Sequence, residues 1–108
     1  DESVAFKFLN GLFKNKLMMI AYENSYVLNW CDSKEKLVSF FQEIENLIVQ
    51  EIDYRYLNGK ENNFDTVKTN KLMKIISITD RLSKLVNVNA NLNLLVDRYI
   101  IEVVEAVI

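Results

Sequence analysis

Histidine and proline are absent from this chain of 108 residues, and glycine occurs only twice. Sheets and their hairpins usually need glycine or proline at turns, so this scarcity favours helices. Hydrophobic residues make up 50% of the chain and charged residues 26%, which is typical of a folded domain rather than a disordered segment. We expect an all-α fold, an antiparallel bundle of four to five helices, forming a single domain over residues 1–108.

The lack of histidine excludes most enzyme and metal chemistry. Neither a Ser-His-Asp triad, a Cys-His pair nor a Glu-x-x-His di-iron site can be built without it. Gly11 and Gly59 stand apart and fit no phosphate-binding pattern. Four acidic residues on the third predicted helix suit a solvated flank better than a catalytic pair: Glu43, Glu45, Glu51 and Asp53. The sequence predicts no catalytic residue, cofactor, metal or small-molecule substrate.

Cys31 is the only cysteine, so no internal disulfide can form, and we expect an inert buried thiol in a cytoplasmic protein. The longest apolar run, residues 17–22, is far shorter than the roughly 20 residues that cross a bilayer. No membrane partner is therefore expected. The chain opens at Asp1 without a targeting pattern, and we expect it to be the C-terminal fragment of a longer protein.

The spacing of apolar residues predicts the order of the first four helices. A short helix covers residues 3–10 and ends near Gly11, and a second runs from residue 12 to about 30. The third begins after an N-cap at Asp32 or Ser33, with Glu35 completing a capping box, and ends at Asn58-Gly59. After a polar loop over residues 60–65, anchored by Phe64, the fourth begins near residue 66 or 69 and ends near 86.

The last helix is predicted to start from an N-cap at Asn89 and to carry two apolar lines. At 100° per residue, one face is core, and it comprises Leu92, Leu95, Val96, Tyr99, Val103, Ala106 and Val107. Leu94, Ile101 and Ile108 form a second line at spacings of seven, roughly opposite. This second line needs a further neighbour, either another helix of the same chain or another molecule.

The second predicted helix also shows a second apolar face, formed by Met19, Tyr22, Tyr26 and Trp30. Together with Leu94, Ile101 and Ile108, these residues are our candidate subunit interface. The hypothesis rests on the helical geometry of the two extra lines.

The fourth predicted helix is the basic one, with five basic residues and one acidic residue between positions 66 and 86. Lys74, Arg81 and Lys84 share the face opposite its apolar stripe and are candidates for a weak DNA contact. The net charge of −2 and the pI of about 5.1 disfavour that contact. The alternative is a face that is solvated or paired with acidic residues.

The residues around the last joint resemble a known family. Arg81-Leu82 and Leu85 precede an Asn-x-Asn joint at Asn87 and Asn89, and Leu92 and Leu94 follow it. This pattern resembles the C-terminal (collar) domain of the delta-prime subunit of bacterial DNA polymerase III, a clamp-loader family. Ala90 stands where that family usually has proline, a preferred rather than required residue at the start of a helix.

The resemblance implies a non-catalytic domain that holds the clamp-loader ring together during DNA replication. Its partners would be the other loader subunits, gamma/tau and delta. The gamma/tau subunit carries a similar final helix, so its equivalent domain is one alternative. An unrelated helical adaptor or nucleic-acid-binding bundle is another.

Overall fold

The computed structural model describes residues 3–14, 27, 29–88 and 91–108 of the chain. These residues form four α-helices, which are α1 (Val4–Lys14), α2 (Lys34–Asn58), α3 (Thr69–Ser83) and α4 (Leu92–Val107). The described part contains no strand. The prediction of an all-α bundle is confirmed.

Helix α1 continues past the glycine at which the sequence predicted its end. It includes Gly11 and ends at Lys14, so the predicted boundary was wrong. Glycine inside a helix costs about 1 kcal/mol relative to alanine. Burial of Leu12 and Phe13 in the next turn offsets more than this, because each large apolar side chain contributes about 1.5–3 kcal/mol. Most of the predicted second helix, residues 15–26 and 28, lies outside the described residues.

Both ends of α2 are capped, the first by Ser33 and the second by Gly59. The Ser33 hydroxyl accepts the backbone N–H of Lys36 at 3.2 Å, so Ser33 is the N-cap. Asp32 instead forms an ion pair with the Lys36 ammonium, at 3.2 Å, and does not complete the predicted capping box. At the other end Gly59 adopts a φ of 67° and its N–H bonds to the carbonyl of Arg55, the left-handed cap for which glycine is preferred.

Helices α2 and α3 run antiparallel. Arg55, near the end of α2, donates to the hydroxyl of Thr69 at the start of α3, at 3.0 Å. Glu45, ten residues earlier on α2, lies close enough to Asp80, near the end of α3, for the two charges to interact. The hydrogen bond and the charge interaction both fit an antiparallel pair in which the start of α3 lies beside the end of α2.

Tyr99 lies where the four described helices meet. Its ring centroid is 6.0 Å from that of Phe8 on α1, and 6.1 and 4.8 Å from those of Phe40 and Phe41 on α2. Its hydroxyl lies 2.7 Å from that of Thr79 on α3. Thr79 donates its only proton to the carbonyl of Ile75, so the Tyr99 hydroxyl donates to Thr79. Burial raises the pKa of Tyr99, which keeps this hydroxyl protonated.

The loop between α2 and α3 is held by the buried carboxylate of Glu51. It accepts the backbone N–H groups of Asn62 and Asn63, both at 2.9 Å, and the side chain of Arg55 at 3.0 Å. Arg55 also donates to the carbonyl of Phe64 at 2.7 Å. The sequence predicted Glu51 on a solvated flank, but only 3% of the residue is exposed, so that prediction was wrong.

Phe64 anchors the same loop, as predicted. It is buried, with its ring centroid 5.6 Å from that of Phe6 and 5.3 Å from that of Phe13 on α1. The loop is therefore tied to α1 through an aromatic cluster and to α2 through a carboxylate.

None of the helices in the described ranges is long and apolar enough to cross a lipid bilayer.

Candidate subunit interface

Helix α4 carries the candidate interface, and Asn91 fixes where it begins. The side-chain oxygen of Asn91 accepts the backbone N–H of Leu94 at 3.0 Å, so Asn91 is the N-cap and Leu92 the first helical residue. The sequence predicted this cap at Asn89, two residues earlier, which itself lies outside the described residues. A cap oxygen accepts an N–H two or three residues further on, and the N–H bonded here is that of Leu94. The N-cap is therefore Asn91 rather than Asn89.

The core face of α4 is wider than predicted. Of the predicted core residues, those at 95, 96, 99, 103 and 107 are buried, while Leu92 and Ala106 are half-buried. Ile100 and Val104, on the flank of that face, are buried as well. Neighbouring elements thus cover more than half of the helix circumference, and the side opposite the core is left in contact with solvent.

The predicted second line occupies that outer side. Leu94 is 61% exposed, Ile101 is 49% exposed and Ile108 is 67% exposed. Two steps of seven residues at 1.5 Å per residue make the line roughly 21 Å long. No described part of the chain encloses these three side chains, which we call the α4 line.

Charged side chains beside the α4 line attach α4 to α3. Glu102 accepts hydrogen bonds from Arg81 of α3 and, at 3.0 Å, from Arg98 one turn earlier on α4. Partial burial alone raises the pKa of Glu102, but the bonds and charges of the two arginines outweigh burial and the pKa is lowered. The carboxylate therefore stays charged. Its bond to Arg81 attaches α4, and with it the α4 line, to α3.

The other half of the predicted interface is described only at Trp30. Met19, Tyr22 and Tyr26 lie outside the described residues. Trp30 is 36% exposed, and the Lys36 ammonium lies 5.8 Å from the centroid of its ring. A cation at this distance is attracted to the face of an indole ring.

The three candidates for DNA contact differ in their surroundings. Arg81 is bonded to Glu102, and the Lys84 ammonium lies 3.3 Å from the carboxylate of Asp80. Lys74 is exposed, and no ion pair involves it in the described ranges. Two of the three cations thus fit the alternative of an acid-paired face.

Cys31 is buried, with 2% of the residue exposed. Burial, with a smaller contribution from Asp32, raises the pKa of the Cys31 thiol to about 12. A thiol with this pKa is protonated at neutral pH and is a poor nucleophile. Within the described residues no group of three or more Cys, Asp or Glu side chains is placed to hold a metal ion.

The fold and the exposed line together define a small helical bundle with an apolar helix face that none of the described residues encloses. Comparison with known proteins adds no identity: no family model matches the chain, and no curated protein or solved structure is significantly similar to it.

Proposed function

We propose that this chain is a non-catalytic subunit-assembly domain of a DNA polymerase III clamp loader, similar to the collar domain of the delta-prime subunit. It joins the gamma/tau and delta subunits into the loader ring during DNA replication in the cytoplasm. The observation that carries the assembly role is the α4 line, with exposures of 61%, 49% and 67% at Leu94, Ile101 and Ile108. Exposed apolar surface of this regularity is typical of protein contacts.

The clamp-loader assignment itself is supported by the residues around the joint between α3 and α4. Asn87 and the two leucines at 92 and 94 belong to the resemblance, and Leu94 is also the first residue of the α4 line. The motif and the exposed surface therefore lie on the same helix. The comparisons with known proteins lend the family no support, so the family rests on this resemblance alone.

Co-purification tests the assignment. The fragment, tagged and mixed with delta and gamma/tau subunits, is expected to elute with them in one complex from a sizing column. A fragment that stays folded and elutes alone with every loader subunit would contradict the proposal.

A DNA-binding measurement separates the nucleic-acid alternative. The proposed assembly domain is expected to show no salt-sensitive affinity for duplex or primed DNA. Affinity that falls with rising salt, and that is lost on replacing Lys74 by glutamate, would favour the nucleic-acid-binding bundle instead.

A further inference from the structure

Asparagine precedes glycine at both glycine positions of this chain, in the pairs Asn10-Gly11 and Asn58-Gly59. This dipeptide is chemically labile, because glycine has no Cβ to keep its backbone nitrogen away from the side-chain amide carbon of the asparagine. Attack of that nitrogen on that carbon starts deamidation. Leucine precedes both pairs, so a difference between them in the folded protein comes from their place in the fold.

The reaction consumes water and releases ammonia. The glycine nitrogen forms a bond to Cγ of the asparagine, the Cγ–Nδ2 bond breaks, and the proton of the glycine nitrogen leaves with Nδ2 as ammonia. Water then opens the resulting cyclic imide. Opening at Cγ gives aspartate, whereas opening at the main-chain carbonyl carbon gives isoaspartate, in which the main chain runs through the side chain and is longer. No atom is oxidised or reduced.

The closed cap of α2 holds both reacting groups of Asn58-Gly59 against the preceding turn. The N–H of Gly59 donates to the carbonyl of Arg55 at 2.8 Å, and Nδ2 of Asn58 donates to the carbonyl of Tyr54 at 2.9 Å. Ring closure takes the proton from the Gly59 nitrogen and releases Nδ2 of Asn58, so both hydrogen bonds have to break first. The reaction therefore follows the opening of the last turn of α2.

Opening of this turn exposes little further apolar surface. Tyr56 is 88% exposed and Leu57 is 78% exposed, and the two residues that follow them are exposed as well. A Cβ at Gly59 would meet no heavy atom within 4 Å beyond its chain neighbours, so no other element packs against it. Helix ends with few buried contacts open locally, at a much lower free energy than the fold as a whole.

Asn10-Gly11 lies in a different setting. Gly11 is inside α1, which continues to Lys14. Leu12 and Phe13, which follow it, are 0% and 6% exposed and belong to the core. Release of the Gly11 nitrogen from the helix requires the loss of that burial, so its opening follows the unfolding of the core.

We propose that Asn58-Gly59 is the pair that deamidates in the folded protein and that Asn10-Gly11 is protected. Opening of the last turn of α2 sets the rate. Each conversion adds a carboxylate at the C-terminus of α2, where the helix dipole disfavours negative charge. The isoaspartate product also lengthens the main chain directly before the glycine that caps the helix, so the modified cap closes poorly. The inference does not depend on the clamp-loader assignment.

The test follows both pairs in one sample. The folded protein is incubated at mildly alkaline pH, and trypsin digestion with mass spectrometry gives the fraction of acid at each position, corrected with an unincubated sample. The two asparagines fall in separate tryptic peptides, Phe8–Lys14 and Tyr56–Lys60. In the folded protein Asn58 should convert at least about tenfold faster than Asn10. In urea the two rates should agree within about twofold, because the same residues flank each amide.

Arg55→Lys tests whether opening at the end of α2 controls the rate. Lysine keeps the positive charge and the tryptic cleavage, but it cannot form the three side-chain bonds by which Arg55 holds Glu51, the loop and the start of α3. The variant should raise the Asn58 rate by at least about threefold. The Asn10 rate in the same sample reports global stability and should stay unchanged.

Three results would overturn the proposal. The first is conversion of Asn10 as fast as, or faster than, that of Asn58 in the folded protein. The second is a folded protein in which Asn58 stays intact while the urea-unfolded chain converts. The third is an Arg55→Lys variant in which Asn58 is not accelerated, or in which Asn10 is accelerated as much.

Discussion

At the scale of single residues, Glu51 shows how a charge on a helix can organise a loop. Burial by itself raises the pKa of its carboxyl, but hydrogen bonds from Asn62, Arg55 and Asn63 outweigh burial, so the pKa is lowered from 4.5. Sequence could not reveal this role. Two of the three donors are backbone N–H groups of a loop, and no side-chain pattern records them.

Glu51→Gln should destabilise the fold by about 2 kcal/mol, because hydrogen bonds to a buried charged group are lost. Since the folded pKa lies below the unfolded one, this contribution is present above pH of about 4.5 and disappears as the pH falls through the lowered pKa. Urea unfolding of both proteins at pH 7 and pH 3 should therefore show a smaller difference at pH 3 than at pH 7.

The matched control is Asp53→Asn, an exposed acid on the same helix, which should change stability by less than about 0.5 kcal/mol. An equal loss for the two variants at pH 7, or a Glu51→Gln effect that is undiminished at pH 3, would contradict the role assigned to Glu51.

The buried pair of Tyr99 and Thr79 gives a second residue-scale prediction. Tyr99→Phe removes one hydrogen bond and should cost about 1 kcal/mol, because the Thr79 proton keeps its bond to Ile75. Thr79→Val should cost more, about 2 kcal/mol, because it leaves the Tyr99 hydroxyl buried without an acceptor.

A double-mutant cycle measured by thermal or urea unfolding checks this pair. The double variant should lose less stability than the sum of the two single losses, since no hydroxyl is then left unsatisfied. Strict additivity would show that the two hydroxyls do not interact.

At the scale of elements, both ends of α2 were predicted well, because apolar periodicity and the capping residues agree there. Both ends of α2 fall within one residue of the predicted positions, with Ser33 and Gly59 as the caps. Prediction from sequence was wrong where burial in the core outweighs a local helix-ending residue. Gly11 predicts the end of α1, but the helix continues to Lys14 because Leu12 and Phe13 are buried.

The start of α4 supplies the element-scale prediction. Asn91→Ala should destabilise the fold by about 1 kcal/mol by removing the acceptor for the N–H of Leu94. Asn91→Asp, which keeps that acceptor and adds a charge favourable at a helix N-terminus, should retain wild-type stability. Equal losses in urea unfolding for alanine and aspartate would show that capping is not what Asn91 contributes.

At the scale of the whole molecule, the candidate interface was only partly predictable. The heptad spacing of Leu94, Ile101 and Ile108 identified an extra apolar line, and the structure places all three at the surface. The geometry of α4 does not identify a partner for these side chains. The partners are therefore inferred from the resemblance, whereas the surface itself follows from the geometry of α4.

The most direct measurement of the assembly role compares Ile101→Glu with Leu57→Glu in sizing-column reconstitution with delta and gamma/tau. The two residues are 49% and 78% exposed, so both variants should fold with wild-type circular dichroism and unfolding midpoints. We predict that Ile101→Glu abolishes assembly, whereas Leu57→Glu assembles like the wild type. A folded Ile101→Glu protein that still joins the complex, or one that unfolds, would contradict the α4 line as the subunit interface.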